Sequence, residues 1–309
     1  MTPTMADDPA DLRGLLFSIA YRMTGSATEA EDLVQEAFYR LRRTQQHGTV
    51  IESPKAYLAT TITRLAIDHL RSARARRESY IGTWLPEPLV TTLHENPEQM
   101  AELSDSLSIA FLVLLESLSP VERAVFLLRE AFDYPYQEIA QIVEKSEANC
   151  RQIYRRARQH IGDQRPRYEA TPEQSNTLLR SFLTAARDGN LEQLIDLLAT
   201  DAAFYGDGGG KATAIGRPLH GRERVAAFIL ALFKQRSHLG VTVAAVLVNG
   251  EPGIIVHDPQ GKIVSVIAIE IRQGTIQTLR GIVNPDKLRH LGPVSHIARK
   301  RHRQQDTEP

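Results

Sequence analysis

The chain has 309 residues, with 37 Lys and Arg against 37 Asp and Glu, 42% hydrophobic and 24% charged residues, and one cysteine. That length suits two or three domains, and the ordinary composition excludes wholesale disorder. The lone Cys150 excludes an intrachain disulfide and a cysteine-built zinc site and fits a reducing cytosol, no apolar run is long enough to span a bilayer, and the acidic opening MTPTMADDPADLR does not read as a signal peptide.

Charge is unevenly spread. Residues 1–163 carry 18 Lys and Arg against 23 Asp and Glu, and residues 164–309 carry 19 against 14. With no bulk basic field, nucleic-acid contact has to come from local clusters. Two stand out: Arg71, Arg74, Arg76 and Arg77; and Arg151, Arg155, Arg156 and Arg158.

In chain order, residues 1–80 read as an all-helical module. Leu33, Val34, Ala37, Phe38 and Leu41 recur at helical spacing, and Ser26 with Glu29 forms a capping-box pattern ahead of them. A further helix starts after Ser53-Pro54 and places Arg64, Asp68 and Arg71 on one face. Residues 81–103 contain three prolines and the only tryptophan, which predicts an extended connector carrying Trp-Leu-Pro-Glu-Pro. Residues 104–163 return to helix. Within them YQEIAQIVEK, a turn at Lys145-Ser146 and EANCRQIYRRARQHI form a helix-turn-helix pattern. Cys150, Ile153, Ala157 and Ile161 fall on the inward face of its second helix, while Arg151, Gln152, Arg155 and Arg158 face outward, Asn149 lies near its N-terminus and Ser146 is placed to cap it. Such a helix fits the major groove, where Arg takes guanine and Asn or Gln takes adenine. A solvated basic face is the plainer alternative.

Residues 164–172 form a short linker. Residues 173–290 change character: two helical stretches, a glycine-rich segment, a third helix, then β-branched runs punctuated by Asn-Gly, Asp-Pro-Gln-Gly and Gln-Gly. This predicts an α+β domain with an antiparallel meander. Residues 291–309 form a basic tail. Tyr205, Asp207, His220, His257 and Asp258 are the titratable candidates for a pocket, but they make no recognisable catalytic set, and His257-Asp258-Pro259 is expected to be exposed in a turn. No metal-ligand spacing and no phosphate-cradling loop occurs, so no cofactor is expected.

The segments together resemble a known family. YRMTGSATEAEDLVQEAFYRLRR is similar to the part of bacterial sigma factors that docks on RNA polymerase core, YLATTITRLAIDHLRSARARR to the adjoining −10 region, and SPVERAVFLLREAFDYPYQEIAQIVEKSEANCRQIYRRAR to the −35 region. Their order and spacing resemble the extracytoplasmic-function (ECF) class. The resemblance implies core-polymerase contact through Asp32, Gln35, Glu36 and Phe38. It implies −10 contact through Arg64, Asp68, Arg71, Arg74, Arg76 and Arg77, and −35 contact through Ser146, Asn149, Arg151, Gln152, Arg155 and Arg158. Many family members carry Arg-Asn where this chain has Thr63-Arg64, so the −10 base contacts stay unassigned.

The C-terminal segment resembles the SnoaL-like (NTF2-like) cone. The motifs containing Trp84, Pro86 and Pro88; Asp207, Gly208, Gly209, Gly210 and Lys211; and Asn284, Pro285, Asp286 and Lys287 resemble the ECF subfamily with such a domain fused. The resemblance implies regulation in cis, RNA polymerase core and promoter DNA as partners, a cytoplasmic location, no separate anti-sigma factor, and a C-terminal cavity for a small-molecule ligand. In physical terms, the glycines permit positive φ and close chain approach, Asp207 and Lys211 are placed to pair or to grip a backbone, and the tryptophan is an apolar anchor. The fold class expected is therefore multidomain: two all-α DNA-binding modules followed by an α+β cone. A one-component helix-turn-helix regulator with a ligand-sensing domain, and an enzyme with an accessory DNA-binding module, are the competing classes. The acidic face at Asp32 to Glu36 separates the sigma-factor reading from the one-component regulator, and the chain is expected not to be an enzyme.

Overall fold

The computed structural model describes residues 9–92, 107–162 and 171–297, with side chains omitted at 9–11, 73–78 and 172. The side chains of Arg74, Arg76 and Arg77, residues 93–103 of the expected connector, most of the 164–172 linker and the tail beyond 297 lie outside the described residues. The described chain falls into two compact units, one of residues 9–79 and 110–162, the other of residues 80–92, 107–109 and 171–297.

The first unit is all helical. Helix α1 (Pro9–Thr24), α2 (Ala27–Gln46) and α3 (Pro54–Glu78) pack through Leu16, Ile19, Tyr21, Val34, Leu58, Ile62 and Ala66, all essentially inaccessible. The face α2 buries is Ala27, Ala30, Val34 and Ala37, small residues that let the helices approach closely. Ser26 starts α2 by accepting from the Glu29 amide at 3.1 Å, as its capping pattern predicts. The later helices are α4 (Ile109–Leu115), α5 (Pro120–Glu130), α6 (Tyr136–Val143) and α7 (Glu147–Gly162). Ser119 and Glu122 close a full capping box on α5. Between α6 and α7, Glu144 adopts φ +56°, and Ser146 Oγ accepts from the Asn149 amide at 3.2 Å. Arg123, buried, ties α5 to the end of α1: it donates to Met23 O at 2.6 Å and Glu116 Oε1 at 2.7 Å. Burial lowers its pKa to about 9, still above neutrality, so it stays charged and Glu116 neutralises it.

The second unit is a cone of helices on a seven-stranded sheet. Helices α8 (Pro172–Asp188), α9 (Leu191–Leu197) and α10 (Arg222–Ser237) cover a sheet of order β1-β4-β5-β6-β7-β2-β3. The strands are β1 (Val90–Thr91), β2 (Leu198–Asp207), β3 (Leu219–His220), β4 (Thr242–Val248), β5 (Glu251–His257), β6 (Ile263–Arg272) and β7 (Thr275–Ile282). Strands β4 to β7 form the expected antiparallel meander, turned at Asn249-Gly250 and Gln273-Gly274 with positive φ at all four positions. Two pairings were not expected. Strand β2 runs parallel to β7, and β1, from the stretch read as a connector, pairs antiparallel with β4 at Val90↔Val248. The core is Phe182, Leu194, Phe204, Val225, Ile229, Ile254, Ile269 and Leu279 with their neighbours.

Candidate nucleic-acid interface

Helix α7 carries the first constellation. Cys150, Ile153, Ala157 and Ile161 are buried, as their spacing predicts, and Arg151, Gln152, Arg155 and Arg158 are exposed on the other side. Burial pushes the Cys150 thiol up, which keeps it protonated and fits a small core side chain. Arg151, Arg155 and Arg158 border an open groove of about 730 Å³ floored by Tyr136 and Tyr154. Tyr154 is fixed by donating to Glu130 Oε2 at 2.5 Å, and burial with that carboxylate pushes its hydroxyl up to about 12. Arg151 lies 4.7 Å from the Tyr136 ring centroid and 3.2 Å from Glu147, so it is more tethered than Arg155.

On α3, Asp68 and Arg71 are exposed and pair at 3.1 Å. Arg64 is engaged elsewhere. Its guanidinium donates to Ile142 O and Gln141 O, each at 2.9 Å, and meets Glu144 at 3.1 Å. It thus caps the C-terminal end of α6, where carbonyls and the helix dipole favour a cation. Of the three residues expected on one open face, the structure leaves two open and places Arg64 against the helix-turn-helix.

On α2, Asp32 and Gln35 are exposed, Glu36 and Phe38 are half-buried, and Glu36 pairs with Arg40 at 2.7 Å. Tyr39, 60% exposed, extends this face; sequence reasoning passed over it, though it sits four residues after Gln35.

The second unit holds the three glycine-, proline- and lysine-bearing motifs together. Asp207 is fully buried and accepts from the Tyr80 hydroxyl at 2.5 Å, the Leu85 amide at 2.8 Å and Lys287 Nζ at 2.7 Å. The Lys287 ammonium also donates to Leu85 O, and lies 4.3 Å from the Trp84 ring centroid and 4.8 Å from that of Tyr80. Burial and the Asp207 carboxylate push the Tyr80 hydroxyl well up, so it donates its proton. Asn284 donates to Tyr80 Oη at 2.8 Å and accepts from the Asp286 amide at 3.1 Å, starting a short 3-10 turn at Pro285–Lys287. Of the two expectations for Asp207 and Lys211, the pairing is corrected here, since Lys211 pairs with Asp286 and Lys287 takes Asp207, while Asp207 does grip a backbone, that of Leu85. Lys211 is on the exposed rim, whereas Lys287 enters the buried site. Pro86 and Pro88 are buried, and His290 Nε2 lies 2.8 Å from Pro88 O. Asn249 fixes the following residues: its amide donates to Leu89 O at 2.7 Å, its side-chain Oδ1 accepts from the Leu89 amide at 2.9 Å, and its Nδ2 donates to Leu107 O at 2.8 Å. Tyr80 and His290 had no motif to mark them, and Asn249 was marked only as part of an Asn-Gly turn.

Of the titratable candidates in the cone, His220 is exposed and Tyr205 half-buried. Asp258 is buried, against the expectation of exposure, because it closes its own turn by accepting from the Gln260 and Lys262 amides at 3.0 and 2.8 Å. Among the described residues no group of His, Cys, Asp and Glu is placed to hold a metal, and no helix is long and apolar enough to cross a membrane.

Comparison with known proteins matches three segments of the chain to domain families. Residues 10–76 match Sigma-70 region 2, residues 108–161 match Sigma-70 region 4, and residues 179–283 match the SnoaL-like domain. The ECF RNA polymerase sigma factor SigJ of Mycobacterium tuberculosis is 38% identical over 286 residues, covering 89% of this chain and 90% of that protein.

The chain belongs to the ECF RNA polymerase sigma factors.

This sigma factor is also 32% identical over 278 residues to a probable ECF sigma factor, SigI, of Mycobacterium tuberculosis, covering 89% of this chain and 92% of that one. The crystal structure of SigJ aligns with a TM-score of 0.73 at 34% identity, over 92% of this chain and 98% of that one. Helices α1 to α3 of this sigma factor thus fall in the region 2 match, α4 to α7 in the region 4 match, and strands β2 to β7 with α9, α10 and most of α8 in the SnoaL-like match.

Proposed function

We propose that this sigma factor loads onto RNA polymerase core through the α2 face of Asp32, Gln35, Glu36, Phe38 and Tyr39, and directs initiation at promoters whose −35 element is read by α7. Arg155 and Arg158, with Asn149 and Gln152, take base edges and phosphates, and Asp68 and Arg71 face the −10 strand. It works in the cytoplasm with the polymerase, and no catalytic role is assigned to it.

The SnoaL-like unit regulates this activity in cis. The observation that carries this reading is the grip of the second unit on residues 80–92, the chain that leaves region 2 at residue 79. That unit holds the start of the connector between the two DNA-reading modules, so promoter output is controlled from within the chain and a separate anti-sigma factor is unnecessary. The test is in vitro transcription with core polymerase on a mapped promoter, comparing the full chain with full-length Asp207→Asn and Lys287→Met. Altered promoter output with retained core binding is expected. Unchanged output refutes control in cis, and failure of every form to bind core refutes the loading assignment.

A further inference from the structure

A cavity of about 350 Å³ opens between α10 and the concave face of the sheet in the second unit. Its floor is Ile229, Ile254 and Ile267, all buried, and its walls include Phe233 and Val243, which are half-buried and line the opening. The size is that of a small-ligand site, and the lining is the apolar kind that holds a hydrocarbon body. One group is out of keeping with it. Arg236, in the last turn of α10, lines the same cavity with its guanidinium largely withdrawn from water; burial lowers its pKa. It donates to Ser265 Oγ at 2.9 Å, and no carboxylate among the described residues pairs with it. Arg187, exposed at the end of α8, adds a second cation to the lining.

A guanidinium has five donors and a preference for planar oxyanions. A cation held at the edge of an apolar cavity without a counter-charge makes the site complementary to an amphipathic anion.

We propose that this cavity binds a small apolar carboxylic acid, its carboxylate on Arg236 and its hydrocarbon against Ile229, Phe233, Val243 and Ile254. Neither the polymerase-loading nor the promoter-reading assignment is needed for it. The experiment is calorimetric titration of the full chain with sodium decanoate and, separately, with decanol, which has the same alkyl chain without the charge. Decanoate is expected to bind one per chain, about tenfold or more tighter than decanol, the ratio a charge-assisted hydrogen bond supplies. Arg236→Gln should bring decanoate down to the decanol level and leave decanol unchanged. Arg236→Lys should keep the preference for decanoate in a folded chain, and Val243→Trp should fill the cavity and abolish both. No decanoate binding, equal binding of acid and alcohol, loss of the acid preference in Arg236→Lys, or full binding by Val243→Trp would each overturn the proposal.

Discussion

Lys287→Met tests the buried cluster most directly. The substitution keeps most of the side-chain volume and deletes the ammonium. Asp207 is then left at zero exposure with two donors, the Tyr80 hydroxyl and the Leu85 amide, and no cation. Breaking a buried ion pair by removing one partner costs about 3–5 kcal/mol, because the remaining charge is uncompensated. The bond to Leu85 O and the two ring contacts belong to the same cation, so they lie within that figure. With a urea slope of roughly 2 kcal/mol/M, the unfolding midpoint of the second unit falls by about 2 M. Trp84, the only tryptophan, lies over this ammonium and reports the same event by fluorescence. Its emission should move toward that of an exposed indole at urea concentrations where the wild-type chain is unaltered. Adding Asp207→Asn should recover about 1 kcal/mol or more, since the stranded charge is removed. A midpoint shift below about 0.5 M with unchanged Trp84 emission would refute the reasoning.

Four further outcomes are expected. Arg155→Ala should weaken binding to a cognate −35 duplex by about 1–3 kcal/mol and relax preference at one base pair, measured by anisotropy on single-base variants; a uniform loss across sequences refutes base reading. Arg151→Ala should cost less than Arg155→Ala, because Tyr136 and Glu147 already hold that guanidinium. Arg64→Ala should lengthen and broaden the distance between labels at positions 71 and 145, since it removes every contact Arg64 makes with Gln141, Ile142 and Glu144; an unaltered distance distribution shows that other contacts hold α6 on α3. The bonds from the Ser119 backbone and side chain hold the Glu122 carboxyl below its usual value, so its contribution to stability is present above about pH 4.5 and is lost as pH falls through the lower folded value. Glu122→Gln should therefore flatten the acid limb of the stability profile, and a wild-type limb in that variant contradicts the capping-box account.

Local rules carried much of this fold. Ser26 starts the helix its capping pattern announces, and Asn249-Gly250 turns its hairpin as that dipeptide predicts. The inward face of α7 was legible because four apolar positions at helical spacing have one way to be buried. What escaped reading depends on distant partners. Val90–Thr91 is too short to signal a strand and forms one because β4 offers it an edge. Arg64 carries the local marks of a DNA-facing residue, and only the approach of α6, 77 residues away, gives it another role. Arg123 reads as a surface residue until Met23 O and Glu116 appear beside it. In the candidate site, the motifs named the right segments while the choice between Lys211 and Lys287 as the partner of Asp207 rested on burial, which spacing does not encode.

The cluster's composition explains why its segments must be these residues rather than any apolar set. An apolar anchor holds a chain in several registers at similar cost, whereas a buried carboxylate and ammonium tolerate one. Asp207 reaches Leu85 through its amide while Lys287 reaches the same residue through its carbonyl, so both backbone groups of one connector residue are fixed at once. Sliding the connector by one residue would strand both charges. The glycines serve that arrangement: Gly209 and Gly210 have φ of +54° and +73°, and a Cβ on Gly209 would strike the Asn284 amide and come within 2.9 Å of the Tyr80 hydroxyl. Those two groups bond each other across it. Glycine there lets Tyr80 lie against Asp207, and Tyr80 is the first residue of the segment the second unit holds. A Gly209→Ala chain should therefore loosen the connector at its entry while Lys287 still holds it at Leu85, separating the two ends of the grip. Cleavage by a protease specific for aromatic residues at Tyr80 should rise in that variant before Trp84 emission moves; simultaneous change at both would show the grip to be a single cooperative unit.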